Sequence, residues 1–190
     1  MQRAGGSVGQ FSVSLSWSRS TRKYADLDLH LYLPAKYSDP AKRDHSVGDV
    51  CFRNKLRHYF ELDVDMCAGA SDTCPHKPVE NIVFPQPSLS KRKRRRKRIA
   101  PGKYTIVVQN WGYKTVDPPS IGDKGPAIPF DVLFSMNGNK TLITGLCIKP
   151  NRSKKASAIR VFRIVIGPDG SVMSMKKHKP MGDICRYGYF

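Results

Sequence analysis

The 190-residue chain lacks any run of about 18 apolar residues, so no membrane span is expected. Residues 1–10 are rich in Gly and Ser and lack the apolar stretch of a signal peptide. No segment of any length shows the apolar period of a helix, and no Cys-x-x-Cys pair occurs. These absences predict an intracellular protein, in a nucleus or within a virus particle rather than secreted.

Acidic residues are also scarce, since 15 Asp and Glu stand against 33 Lys and Arg and give a net charge of +18. Residues 26–80 nevertheless hold 10 of those acids against 7 basic residues, which makes this stretch −3 and the remainder +21. The charge is therefore bipolar, a property that concerns partners and solubility rather than the fold. A hydrophobic fraction of 39% is enough for a globular core.

The five cysteines form an odd set without metal-type spacing. Cys67 and Cys74 are close enough in sequence to bridge a loop. We expect free thiols, as in a reducing compartment, and keep a Cys67–Cys74 bridge as the alternative.

Apolar residues alternate with polar ones over most of the chain, which predicts β-strands with one buried face. The clearest cases are residues 11–17 and 26–33. In the second of these, residues 27, 29, 31 and 33 are all Leu. About nine such strands, separated by Gly, Pro and Asn turns, predict an all-β antiparallel sandwich or jelly roll.

This pattern also sets the predicted domain organisation. One sandwich domain is expected over residues 11–175, after a flexible N-terminus at 1–10. The domain carries a basic loop insertion at 85–100 and a long Pro- and Gly-rich loop at 111–127. A basic and aromatic tail follows at 176–190.

Two Asp-x-Asp pairs lie on predicted strands, Asp26 with Asp28 and Asp63 with Asp65. The i, i+2 spacing aims both carboxylates of a pair at one side of the sheet, where like charges repel. A hard cation such as Ca²⁺, or nearby Arg and Lys residues, would relieve that repulsion. A solvated strand face is the plainer interpretation, and a two-metal nuclease is disfavoured because no Lys or His completes a recognisable motif.

Six ordered motifs carry a family resemblance over about residues 11–136. They are Leu15-x-Trp17, Asp26-Leu-Asp-Leu-His-Leu-Tyr-Leu-Pro34, Cys51-Phe-x-Asn-Lys55, Leu62-Asp-Val-Asp65 with Gly69, Pro78-Val-Glu-Asn-Ile82 and Pro101-Gly-x-Tyr-x-Ile-x-Val108. In this order they resemble the bacterial YfaP-type domain, a family of unknown function.

The resemblance implies a β-sandwich and a shared polar constellation rather than a known reaction. Its matching polar positions, expected as metal or ligand contacts or as a network that joins strands, are Asp26, Asp28, His30, Asp63, Asp65, Glu80 and Asn81. The chain departs from the family at Val79, which is inserted before Glu-Asn-Ile, and in the lengthened connection at 85–100. That connection holds the basic run.

The basic run consists of Lys91, Arg92, Lys93, Arg94, Arg95, Arg96, Lys97 and Arg98. A solvated charge run and a nuclear import signal are open interpretations. The run favours contact with nucleic acid or another polyanion, which would be salt-dependent and independent of sequence.

Together these features predict a non-enzymatic structural or interaction module of a larger assembly, such as a virion, capsid or nucleoprotein component. Its expected partners are other protein subunits and a polyanion. The alternative is a Ca²⁺-dependent carbohydrate-binding module with metal ligands Asp26, Asp28, Asp63, Asp65 and Glu80. Tyr32, Trp111 and Tyr113 would then stack on the sugar.

Overall fold

The computed structural model describes residues 9–18, 26–37, 49–67, 75–84, 98–110, 128–147, 158–177 and 185–186. All regular structure in these residues is β. The strands are β1 Phe11–Trp17, β2 Leu27–Tyr32, β3 Leu56–Arg57, β4 Phe60–Asp65, β5 Val79–Phe84, β6 Gly102–Asn110, β7 Ile128–Met136, β8 Asn139–Cys147, β9 Ala158–Ile166, β10 Val172–Lys177 and β11 Cys185–Arg186.

The strands form two sheets packed face to face. Sheet A has the order β11-β8-β7-β1-β5-β4-β3, and sheet B has the order β10-β9-β6-β2. Neighbouring strands are antiparallel throughout. The predicted all-β antiparallel sandwich is thereby confirmed.

Strand β7 shows why this sequence forms a sandwich. Phe130, Val132 and Phe134 are buried, whereas the intervening Asp131 is exposed and Leu133 only partly covered. Successive side chains of a strand point to opposite faces, so one apolar row faces the other sheet. The same alternation places the Leu residues of β2 in the core.

The predicted element bounds need correction at three places. The two-residue strand β3 was not predicted, β10 continues to Lys177, and β11 lies within the expected tail. Two paired residues are too short to produce a periodic signal. The predicted loop at 111–127 lies outside the described residues, as does 85–97.

Cys67 is disulfide-bonded, so the expectation of free thiols is wrong for this residue. Cys51 is a buried thiol, and burial raises its pKa. The backbone register places Cys185 opposite Cys147.

No helix in the described part of the chain is long and apolar enough to cross a membrane.

Candidate functional site: a buried carboxyl cluster and an anchored basic connection

A bulge in β4 separates the second aspartate pair. Leu62 is opposite Ile82, but after a register shift Val64 is opposite Asn81 and Asp65 is opposite Glu80. The prediction that Asp63 and Asp65 share one face is therefore wrong, because the bulge interrupts the period of two.

Asp63 lies on the outer face of sheet A in a short polar network. The Asn81 side-chain amide donates to Asp63 Oδ1 at 2.7 Å, and the Ser14 hydroxyl donates to Asn81 Oδ1 at 2.5 Å. Asn81 and Ser14 are both buried. This network joins β1, β5 and β4, as the network interpretation of the polar positions expects.

Glu80 lies on the opposite face, between the sheets. It is opposite the fully buried Leu15 of β1 and is itself only 1% exposed. Its Oε2 accepts a 2.5 Å hydrogen bond from the backbone N–H of Leu29 on β2. Among the described residues its Oε1 has no hydrogen-bond partner. Glu80 therefore ties sheet A to sheet B through one buried carboxyl oxygen.

The bond from Leu29 is one of four hydrogen bonds that cover the free edge of β2. Leu31 exchanges two backbone hydrogen bonds of 3.0 Å with Val50, and the Leu33 N–H donates to Asp49 Oδ2 at 2.7 Å. These alternate residues of β2 present their backbone groups away from β6. Because an open strand edge invites pairing with other chains, the acidic side chains here protect the edge.

The carboxyl groups of Asp26, Asp28, Asp65 and Glu80 interact electrostatically, and we call these four residues the carboxyl cluster. Burial raises the pKa of Asp28 to about 8, assisted by the charges of Asp26 and Asp65 and opposed by Arg53. Burial also raises the pKa of Glu80 well above its ordinary value, with Asp28 the next cause and the Leu29 hydrogen bond opposing it. Asp28 therefore keeps its proton at neutral pH, and burial favours the protonated form of Glu80 in the same direction.

Basic and aromatic side chains lie next to the carboxyl cluster and next to His30. Lys55 Nζ lies 2.7 Å from Asp65 Oδ2, with the lysine side chain 57% exposed. Burial, with Arg53 as the lesser cause, lowers the pKa of His30 to about 4. Its ring packs edge-on against Phe52 at 6.2 Å between centroids. His30 is thus a neutral, buried packing residue.

The contacts of the carboxyl cluster do not form a metal centre. In the part of the chain that the structure describes, no three Asp, Glu, His or Cys side chains converge as a group that could hold a metal ion. Ca²⁺ takes six to eight oxygen ligands. Asp63 is directed to Asn81 and Glu80 to Leu29, so the geometry favours a proton- and hydrogen-bond-stabilised cluster, and calcium binding stays a prediction.

The basic run itself lies largely outside the described residues, because only Arg98 of residues 91–98 is described. Arg98 is exposed and is followed by the buried Ile99. The preceding strand ends at the buried Phe84. The connection that contains the run is therefore fixed to the core at both described ends.

The residues that fix the two ends of this connection, Phe84 before it and Tyr104 after it, both contact the ring of Phe60. The Phe60 ring lies 5.1 Å from Phe84 and 5.7 Å from Tyr104, measured between centroids. The Tyr104 hydroxyl donates to the carbonyl of Ala100 at 2.7 Å. Phe84 and Ala100 therefore lie at the same end of the sandwich, on different sheets.

This end lies away from the carboxyl cluster. Glu80 and Phe84 are four residues apart on β5, which corresponds to about 13 Å along a strand. The base of the basic connection and Glu80 therefore lie at different ends of the sandwich.

The predicted stacking aromatics are not brought together among the described residues. Tyr32 is partly buried on β2 opposite Thr105, whereas Trp111 and Tyr113 lie outside the described residues. The structure instead exposes Leu56 and Tyr59 at the β3–β4 hairpin. Sequence reasoning missed this hairpin because its turn, His58-Tyr59, contains no Asn or Gly.

Comparison with protein-family models, with curated proteins and with solved structures gives no match to this chain. The resemblance to the YfaP-type domain therefore stays a prediction.

Proposed function

We propose that this chain is a non-enzymatic interaction module that binds nucleic acid or another polyanion through residues 91–98. The observation that supports it is the fixed base of the basic connection, where Phe84 and Tyr104 both pack on Phe60. Eight like charges repel one another and gain free energy by neutralising phosphate or sulfate groups. The two described ends of the connection are fixed at one end of the sandwich.

The buried carboxyls support a scaffold role over a catalytic one. Glu80 caps the edge of β2, and Asp63 joins a network with Asn81. A catalytic acid or base must reach a reacting atom. Glu80 is instead directed at a backbone N–H between the sheets, where it joins two strands.

Binding to duplex DNA, single-stranded DNA and heparin over a series of salt concentrations tests the proposal. We expect all three to bind at low salt. The variant Arg94→Gln/Arg95→Gln/Arg96→Gln should reduce the slope of log K against log salt for duplex DNA by about 2.7, from about 0.9 per lost phosphate contact.

The matched control removes three exposed cations elsewhere on the sandwich, as Lys140→Gln/Lys176→Gln/Lys177→Gln. Its net charge equals that of the first variant, so a difference between the two locates the binding surface. Equal loss in both variants would show only a diffuse effect of net charge. Absence of binding to every polyanion at low salt would refute the proposal.

We further propose that the module acts within a larger assembly, because its net positive charge lies outside residues 26–80 and such an uneven charge favours association with oppositely charged surfaces. Sedimentation at low salt with and without nucleic acid tests this. We expect mass-dependent association that added salt reverses, and a monomer under all these conditions would contradict the assembly role.

A further inference from the structure

The β3–β4 hairpin carries a strained and exposed aromatic turn. Arg57 is opposite Phe60, so His58 and Tyr59 form a two-residue turn, and their φ angles are 45° and 70°. Two consecutive positive φ values define a type I′ turn, which strongly favours Asn-Gly. Bulky residues are rare in this conformation because the Cβ atom crowds the backbone.

The rings at this turn are held in place while their surfaces stay accessible. Tyr59 is 49% exposed, and its ring edge contacts Phe84 at 6.4 Å between centroids. His58 packs edge-on against Tyr37 at 5.0 Å. Leu56, at 64% exposed, adds apolar surface beside them.

Two cations contact Tyr37, the residue against which His58 packs. Lys36 Nζ lies 5.8 Å from the centre of the Tyr37 ring, and Arg57 Nε donates to the Tyr37 carbonyl at 3.3 Å. The hairpin's acidic residue is Glu61, opposite Leu56. We call the set the hairpin patch, which comprises Lys36, Tyr37, Leu56, Arg57, His58 and Tyr59.

The hairpin patch adjoins the base of the basic connection. Tyr59 contacts Phe84, which is the last described residue before that connection. A polyanion attracted to residues 91–98 therefore arrives at the end of the sandwich where Tyr59 is exposed. Rings with nearby cations bind single-stranded nucleic acid, because each unpaired base offers a flat face for stacking.

We infer that the hairpin patch is a stacking surface for single-stranded nucleic acid, in which a base stacks on Tyr59 while Lys36 and Arg57 contact phosphates. The inference rests on the proposed function and narrows its polyanion to one with unpaired bases. Heparin has no flat aromatic face, and duplex DNA keeps its bases stacked inside.

The strain argues that the ring is needed at this position. Asn-Gly would close the same turn with less strain, so scaffold stability alone gives no reason for His58 and Tyr59. Strained backbone at an exposed site accompanies function in many proteins. Here the strain places an aromatic ring at the tip of the hairpin, next to Phe84.

The decisive variant is His58→Asn/Tyr59→Gly, assayed for folding by thermal melting and for binding with oligo(dT), duplex DNA and heparin. We expect it to melt at the same or a higher temperature. Oligo(dT) affinity should fall about 5- to 150-fold, the equivalent of one lost stacking contact. Affinity for heparin and duplex DNA should change less than twofold.

The single variants Tyr59→Phe and Tyr59→Leu distinguish the effect of an aromatic ring from that of a large apolar side chain. Phe should retain oligo(dT) binding within about twofold, and Leu should lose it about as the double variant does. Equal affinity of Phe and Leu, or an unchanged oligo(dT) affinity in the double variant, would overturn the inference. A parallel loss of heparin binding would also overturn it, since the patch would then be only electrostatic.

Failure of the proposed function has a different signature. In that case the unmodified protein binds none of the three polyanions at low salt. If instead all three bind and depend on residues 94–96 while the turn variant behaves as the unmodified protein, only the stacking surface is refuted.

Discussion

The carboxyl cluster makes the stability of this protein depend on pH in a direction that can be worked out. Asp28 has a pKa of about 8 in the folded chain, against an ordinary value of 3.8 in the unfolded chain. The folded state therefore holds a proton that the unfolded state releases. The stability contributed by this proton is fully present below pH 3.8 and is lost as pH rises through about 8.

His30 acts in the opposite direction over a lower range. Its pKa is about 4 in the folded chain against 6.5 when unfolded, so its effect stabilises above pH 6.5 and is lost as pH falls towards 4. Between pH 4 and 6.5 the two residues offset each other. From pH 6.5 to 8 Asp28 acts without this offset, and there the stability should fall.

The loss of unfolding free energy is about 1.36 kcal/mol for each pH unit over which the folded chain keeps one proton that the unfolded chain releases. Over 1.5 units Asp28 alone removes about 2 kcal/mol of unfolding free energy, which lowers the melting temperature by about 4–8 °C in a chain of this size.

Asp28→Asn is the informative perturbation because it replaces the carboxyl by a neutral amide of similar shape. Urea unfolding at pH 6.5 and 8, at constant ionic strength, should show a shallower decline than in the unmodified protein. At pH 7 the variant should be the more stable by about 4 kcal/mol, the cost of keeping Asp28 protonated over about 3.2 units.

Asp131→Asn is the control, since Asp131 is an exposed residue of β7. It should leave the pH dependence unchanged. The reasoning would be refuted by stability that is constant or rises from pH 6.5 to 8 in the unmodified protein, or by the same decline in Asp28→Asn.

Three further predictions concern separate parts of the molecule. Asn81→Ala should cost about 2–3 kcal/mol in urea unfolding, because it leaves Ser14 and Asp63 without their shared partner; a cost near zero would contradict the network. EDTA or added Ca²⁺ should not shift the melting temperature, since the described residues contain no metal-binding group, and a clear shift with Ca²⁺ would instead support the calcium hypothesis. Thiol titration of the unfolded, unreduced protein should count at most three of the five cysteines, because Cys67 is disulfide-bonded, and a count of five would refute that bond.

Local periodicity predicted the strands well where each strand has one buried face. The bounds of Phe11–Trp17 agree with the structure residue for residue, because Ser and apolar residues alternate without interruption. The two-residue strands β3 and β11 lack enough residues to show a period. Pairing with a neighbouring strand defines them, and that information is not local.

The site was less predictable because its geometry depends on one bulge and on long-range contacts. The sequence analysis singled out the four aspartates as two pairs, but the bulge beside Asp63 directs Asp65 to the other face. The bond from Leu29 to Glu80 joins residues 51 positions apart in different sheets. No spacing rule along the chain contains either fact.

The carboxyl cluster and the base of the basic connection lie at different ends of the sandwich, so salt should affect folding and polyanion binding differently. Burial raises the pKa of Asp28 and of Glu80, and Glu80 is hydrogen-bonded between the sheets, so burial disfavours the charged forms of these two carboxyls. Arg98, the described residue of the basic run, is exposed, and the buried residues that flank the connection, Phe84 and Ile99, are apolar. Salt should therefore weaken polyanion binding strongly while changing folding stability little, because screening acts on exposed charges much more than on buried ones. A scaffold of this kind can change its ligand through the connection or the hairpin turn while the carboxyl cluster keeps the two sheets in register.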